Sequence, residues 1–283
     1  MEYSPDGTEL TESCSAIRYE KGCETKLEKP TAREYPLTII FNGCQLVTML
    51  CSPDSLQDLA VGFLSSEGFL LSKEDIKSIT VDKIRGVVRV QTTDNREITP
   101  DVLSQRLISS GCGRGAAFYS ITDVQNSVVT SKATVSVDEV LALALAFQHA
   151  SPVYQETHGV HSAALCRGSQ ILVHAEDIGR HNAVDKVFGR CLLQGISTDD
   201  SLLITSGRVS SEIAHKAVKK GIPILISISA PTTMAVQIAD KMGITLVSSV
   251  RGGKMEVYTH NWRISHQGIN TRFGSCNAFC QRK

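Results

Sequence analysis

Between residues 36 and 92 the apolar positions keep two rhythms. Short runs at 37–41 and 46–51 flank Asn42-Gly43, a pair that favours positive φ, so a β-hairpin is expected there. Ser52 and Pro53 then have the character of a helix cap and first turn. Leu56, Leu59, Ala60, Phe63 and Leu64 follow at helical spacing, with Gly68 near the helix end. Strand-like segments recur at 79–83 and 87–90. Ahead of this block, residues 1–35 are polar without sustained periodicity and read as a loosely held arm.

From about residue 136 strands and helices alternate. Ser136 and Glu139 form a capping-box pair ahead of an apolar helix at 140–147. Ala183, Val184, Val187, Phe188, Cys191 and Leu192 mark one face of a second helix, stopped by Gly195. Helices at 210–220 and 235–242 end at Gly221 and Gly243, and strands are expected at 160–166, 170–174, 202–205, 224–228, 244–247 and 255–258. The order α-β-β-α-β-α-β-α-β-β predicts a three-layer α/β/α sandwich and suits a cytidine-deaminase-like fold. The expected organisation is an arm at 1–35, an N-terminal α+β subdomain at 36–130, the α/β domain at 131–262 and a polar tail at 263–283.

Composition narrows the function. The 283 residues hold 29 Lys plus Arg against 29 Asp plus Glu, a formal net charge of zero, so no global field attracts nucleic acid or an anionic membrane. Aromatics are 5%, too few for a base-stacking surface. With no apolar run of membrane-spanning length and no signal-peptide pattern, the expected compartment is the cytoplasm. There the nine irregularly spaced cysteines are expected as thiols.

One thiol stands out. Gly111-Cys112-Gly113-Arg114-Gly115 lies in a small-residue loop expected over 109–117. Glycines give reach, and Arg114 favours thiolate over thiol. The plain alternative is a passive turn with an ordinary cysteine. With Ala116 the segment also matches a dinucleotide fingerprint, but lacks the strand and helix that reading needs. Three further turns combine basic residues with glycine: Glu176 through Lys186, Ser206 through Glu212, and Ser249-Val250-Arg251-Gly252-Gly253-Lys254. Their alternatives are a capped helix, a surface ion pair and a basic hairpin, but three such turns in one α/β unit point to a large anionic nucleotide. His174-Ala175-Glu176 has the H-x-E form of zinc deaminases, but the later junction, Thr205 through Ser210, carries no cysteine ligands. Cys276 and Cys280, with His260 and His266, are expected to be free thiols and histidines rather than a zinc site.

Taken together, Leu59-Ala60-Val61-Gly62-Phe63-Leu64-Ser65-Ser66-Glu67-Gly68, residues 176–186, residues 206–210, Ser229-Ala230-Pro231-Thr232, and Arg251-Gly252-Gly253 with Tyr258 resemble the FdhD family of formate dehydrogenase accessory sulfurtransferases. The resemblance runs from about 36 to 260. It implies a deaminase-like fold, a homodimer, and a persulfide received from a cysteine desulfurase. The sulfur would pass to the molybdenum or tungsten bis-pterin guanine dinucleotide cofactor that formate dehydrogenase receives. It places the persulfide on Cys112 and the cofactor contact on Ser249, Val250, Arg251, Gly252, Gly253 and Lys254. Two departures stand out. Gly115 replaces a second loop cysteine, and Thr157-His158-Gly159-Val160-His161 stands for Thr-Gly-Gly-Val-His.

Overall fold

A computed structural model describes residues 9–95, 106–108, 116–118 and 128–265. The polar N-terminus departs first from expectation. Residues 11–32 form a hairpin of β1 (Thr11–Glu20) and β2 (Cys23–Ala32) in continuous antiparallel register, not an arm without elements. Apolar alternation could not reveal it, because β1 and β2 bury almost nothing.

The next block builds as its periodicity predicts. β3 (Tyr35–Phe41) and β4 (Cys44–Cys51) turn at Asn42 and Gly43, whose φ values of 46° and 80° fit this pair to a tight hairpin. With β5 (Ile76–Asp82) and β6 (Val87–Thr92) they form a four-stranded sheet in the order β4-β3-β6-β5. Leu37, Ile39, Phe41, Val88 and Val90 pack from this sheet against Leu59 and Leu64 of α1 (Leu56–Glu67). Ser52 does not cap that helix, which starts at Leu56. Ser52 instead reaches the other unit, accepting from the Ile178 amide at 3.1 Å and donating its own amide to Asp177 at 3.0 Å. Strands β7 (Arg106–Ile108) and β8 (Ala116–Phe118) pair antiparallel farther on.

The second unit centres on a six-stranded sheet. Its strands are β10 (His161–Arg167), β11 (Gln170–Asp177), β12 (Leu202–Thr205), β13 (Ile224–Ser227), β14 (Thr245–Arg251) and β15 (Lys254–Val257), in the order β11-β10-β12-β13-β14-β15. β12, β13 and β14 run parallel; β10, β11 and β15 join antiparallel. Every residue of β12 and β13 is buried, which suits central parallel strands covered on both faces. One face carries α2 (Val137–His149), through Val140, Leu143 and Phe147. The other carries α4 (Arg180–Gln194), α5 (Ser211–Lys219) and α6 (Thr233–Lys241). The expected α/β/α layering is thus present, and the Ser136–Glu139 capping box forms as read. A short helix that periodicity missed, α3 (Pro152–Thr157), precedes β10.

The domain does not stop at 262. Arg263, expected to open a polar tail, is 1% exposed. Its guanidinium donates to the carbonyls of Gly243 (2.8 Å) and Ser131 (2.9 Å), and β16 (Ile264–Ser265) pairs with β9 (Val135–Ser136). A buried guanidinium is tolerable because fixed carbonyl acceptors satisfy it.

The two units join through α1 and α4. A helix buried nearly all round sits inside a protein rather than on it, and α1 buries nine of its twelve residues. Gly62 and Gly189 let the two backbones touch. A Cβ on Gly62 would lie 1.7 Å from the Asp185 carbonyl oxygen, and one on Gly189 would lie 1.9 Å from that of Asp58.

A candidate anion site on one edge of the sheet

Because β12, β13 and β14 are parallel, their C-terminal ends share one edge of the sheet. β10 runs the other way, so its first residue, His161, lies at that edge opposite Asp177, the last of β11. The Arg251–Lys254 turn closes the same edge between β14 and β15. All three basic, glycine-bearing turns therefore fall on a single edge, spanning roughly 20 Å from β11 to β14 at about 4.8 Å per strand. The carboxyl ends of parallel strands are where α/β sheets hold ligands.

At the β12 end, the Ser206 amide donates to the Ser162 carbonyl at 3.0 Å. The Ser206 hydroxyl accepts from the Ser162 amide at 2.9 Å and lies 3.4 Å from His161 Nδ1. Burial, and then the charge of Arg180, hold His161 below the usual imidazole range, which keeps it neutral. Gly207 is a close-approach position: a Cβ there would sit 2.8 Å from Arg180 Cβ, so the arginine stem lies over it. Arg180 Nε and Ser248 Oγ are both buried without a hydrogen-bond partner. Such orphans cost about 1–3 kcal/mol each, a cost that a bound polar group would offset. Arg208 is exposed above this floor.

His181 Nε2 lies 3.3 Å from Ser210 Oγ and 3.4 Å from Glu212. Glu212 would favour the imidazolium, but burial, with Lys216, Arg180 and His161, outweighs it and pushes His181 down to about 3. At the far end, Ser249, Gly252 and Gly253 adopt φ values of 56°, 58° and 72° beside a β-bulge, and the Ser249 amide donates to Ser229. Arg251, Gly252, Gly253 and Lys254 are exposed and Ser249 is half-buried. Val250 is core, packed on the α2 side, so its side chain is not available to a ligand.

The stretch from 176 to 186 divides into two roles. Arg180 and His181 belong to the edge. Asp177 and Lys186 are fully buried and hold the units together: Lys186 Nζ lies 2.8 Å from both Asp177 and Asp54 and donates to the Glu176 carbonyl at 3.0 Å. Burial pulls the Lys186 pKa down, but Asp177 and Asp54 more than reverse that and keep the ammonium charged. Asp177 also accepts from the Gly179 amide and the Asn182 side chain. Two more clusters cross the same seam, Lys216–Asp185–Ser66 and Arg190–Asp58. Sequence reasoning missed Asp54, Asp58 and Lys216, since nothing local marks a residue whose partner lies far away in the chain.

His174 and Glu176 are engaged internally. His174 Nε2 lies 3.2 Å from Ser151 Oγ, and burial pushes its pKa down to about 4. Glu176 accepts the first amides of α3, from Val153 (3.2 Å) and Tyr154 (3.0 Å). Among the described residues no three His, Cys, Asp or Glu side chains gather to hold a metal. His158, where the resemblance implies glycine, takes φ 54° at the end of α3, so the left-handed turn survives the substitution.

The buried thiols are poor nucleophiles. Burial pushes Cys166 up to about 12 and Cys191 to about 11, and raises Cys51 as well. Cys112 lies outside the described residues, in the sequence between β7 and β8. The tail cysteines, Cys276 and Cys280, lie outside them too.

Comparison with known proteins agrees with the motifs. The FdhD/NarQ family model matches residues 32–265. The chain belongs to this family. One member, the "Sulfur carrier protein FdhD" of Bacillus subtilis (strain 168), is 43% identical over 248 residues, covering 87% of this chain and 95% of that one. The protein of the same name from Staphylococcus aureus (strain MRSA252) is 40% identical over 249 residues, covering 88% and 94%. A crystal structure from Desulfotalea psychrophila, assigned as a formate dehydrogenase accessory protein, superposes with a TM-score of 0.74 at 25% identity, covering 91% of this chain and all of that one. The FdhD/NarQ match takes in both units and the whole sheet edge, leaving most of the β1–β2 hairpin outside it.

Proposed function

We propose that this protein carries sulfur as a persulfide on Cys112 and delivers it to a molybdenum or tungsten bis-pterin guanine dinucleotide cofactor lying along the sheet edge, for use by formate dehydrogenase. The observation that carries the reading is the convergence of Arg180, Arg208, Arg251 and Lys254 on one edge of the sheet, in a family whose members are named sulfur carriers. A dinucleotide offers separated phosphates, and an edge some 20 Å long (roughly, at the spacing of neighbouring strands) with cationic turns at both ends suits such a ligand. The α/β/α layering supports a deaminase-like reading of the unit, although His174 and Glu176 serve internal contacts in place of zinc chemistry.

In the loading step the Cys112 thiolate attacks the terminal sulfur of a persulfide on a cysteine desulfurase. The new S–S bond forms on Cys112, the desulfurase S–S bond breaks, and the desulfurase cysteine leaves as thiolate. Arg114 holds the resulting persulfide anionic. Delivery then breaks the Cys112 S–S bond and returns Cys112 as thiolate; the outer sulfur would pass to the cofactor as neutral sulfur, with the two electrons that make it a sulfide ligand drawn from the cofactor's reduced metal, which is oxidised by two in the same step. Two-fold assembly and a cytoplasmic setting complete the reading.

A second reading is a non-covalent chaperone for the same cofactor, favoured by Gly115 in place of a second loop thiol. Intact-protein mass spectrometry after incubation with desulfurase and cysteine separates the two. An added mass of one sulfur atom, lost in Cys112→Ala, is the expected result. No adduct on any cysteine leaves the chaperone reading standing, and full dehydrogenase maturation by Cys112→Ala removes the carrier role.

A further inference from the structure

The β1–β2 hairpin is long and uncovered along β1, while β2 touches α3. Its ten-residue strands reach about 33 Å. Every residue from Glu12 to Glu20 is exposed, and Ile17 and Tyr19 are 49% and 73% exposed. An isolated two-stranded ribbon is marginal in water, so a ribbon of this length calls for a partner that covers it.

The two edges of the ribbon differ. Glu20 and Cys23 flank a two-residue turn, Lys21-Gly22, with φ values of 50° and 79°. Such flanking residues exchange both backbone hydrogen bonds, and the alternation continues through Arg18/Thr25, Ala16/Leu27, Cys14/Lys29 and Glu12/Thr31. The Arg33 amide donating to Leu10 at 3.0 Å continues the same phase. The amides of Ser13, Ser15, Ile17 and Tyr19 therefore point outward from β1, and positions 24, 26, 28 and 30 point outward from β2. Position 30 is proline, which has no N–H to offer, so the β2 edge is blocked and the β1 edge is open.

We propose that this open β1 edge pairs antiparallel with the β1 edge of a second copy, making one four-stranded sheet across a two-fold axis at Ser15. Charge selects that register. Centring on Ser15 sets Glu12 opposite Arg18 of the other copy, twice by symmetry, at non-hydrogen-bonded positions where side chains lie closest. Centring on Ala16 sets Glu12 against Glu20, and centring on Cys14 pairs no charges. Glu12 already lies 3.4 Å from Arg33 but is well exposed, so its carboxylate has room for a second cation. An isologous contact of this kind closes as a dimer. The inference rests on the two-fold assembly of the proposed function, for which it names the contact, and is independent of sulfur carriage: a dimer indifferent to Arg18→Glu removes the contact and leaves the assembly standing.

Size-exclusion chromatography with light scattering on the full chain at micromolar concentration tests it. The unaltered protein should run at twice its chain mass. Arg18→Glu alone sets a carboxylate against a carboxylate at both contacts, and Glu12→Arg alone sets a guanidinium against a guanidinium, so each variant should run as a monomer. In an equimolar mixture of the two, each mixed pair sets Glu12 of one variant against Arg18 of the other and the new carboxylate against the new guanidinium, so both ion pairs are restored and the mixture should run as a dimer. The double variant, Glu12→Arg with Arg18→Glu, restores both ion pairs in reversed sense and should run as a dimer. Ser15→Pro removes an outward amide without touching the β1–β2 ladder and should be monomeric with an unchanged circular dichroism spectrum. A monomeric unaltered protein, a dimer indifferent to Arg18→Glu, or a double variant that stays monomeric each overturns the pairing. A monomer in which Arg18→Glu still impairs dehydrogenase maturation would overturn it too, and would assign the edge to a different protein.

Discussion

Replacing Gly62 by alanine adds one methyl group where α1 crosses α4. In an open helix that exchange gains about 1 kcal/mol, because alanine is the better helix former. Here the sign reverses. The new Cβ would meet the Asp185 carbonyl oxygen at 1.7 Å, half the 3.4 Å at which ordinary contact begins. The obstacle is main chain, so no rotamer relieves it, and the helices must part by more than an ångström. Overpacking of this kind costs about 1–3 kcal/mol or more. Separation also stretches the Ser66–Asp185 hydrogen bond, at 2.6 Å, and the Arg190–Asp58 pair, at 2.8 Å. The first is buried and worth about 1–3 kcal/mol when it fails, while the second is half-buried and worth about 1 kcal/mol. Set against the helix gain, the net loss should be about 2–6 kcal/mol, a large share of the usual 5–15 kcal/mol of folding stability. Thermal unfolding followed by circular dichroism should show Tm lower by roughly 10 °C or more for a chain of this size. Gly195→Ala is the control: with φ of 68° and nothing within 4 Å of a new Cβ, it should lose only the left-handed strain of about 1–2 kcal/mol. A Gly62→Ala protein with Tm equal to or above the parent would refute the close helix crossing.

Lys186→Met leaves Asp177 and Asp54 facing each other without their cation, and should cost about 3–5 kcal/mol in urea unfolding; a loss within error of zero would mean the ammonium is not enclosed. Acid should weaken the fold early. An unfolded histidine takes up its proton near pH 6.5, but His174 and His181 do so only near 4 and 3, so the unfolded chain binds more protons in between. Their contribution is whole above pH 6.5 and falls with pH, by up to about 1.4 kcal/mol per unit for each histidine. Urea midpoints at pH 7 and 5 measure the slope, which His181→Gln should flatten. On the proposed function, Arg251→Ala combined with Lys254→Ala should weaken GDP binding at least tenfold by calorimetry, at about 1.5–3 kcal/mol per charge-assisted contact. Unchanged affinity would remove the β14–β15 turn from the site.

Local pattern settled most of the elements. The β3–β4 hairpin follows from Asn42-Gly43, α2 from the Ser136–Glu139 box, and the layered α/β unit from its alternation of periods, because each depends on residues a few positions apart. The motifs were equally legible, and the chain's membership of the FdhD/NarQ family follows from the same stretches. What stayed hidden depends on partners far away in the chain. The Asp54–Lys186–Asp177 cluster, the Gly62–Gly189 crossing and the buried Arg263 each join residues from distant segments, and no periodicity records such a meeting. The β1–β2 ribbon was missed for the opposite reason: it buries almost no side chain, so its backbone pairing leaves no apolar signature. Likewise, residue types could mark three basic turns as candidate anion binders, but only parallel strand order puts all three on one edge. Strand direction is decided by which elements cover the sheet, and that is a property of the packed molecule.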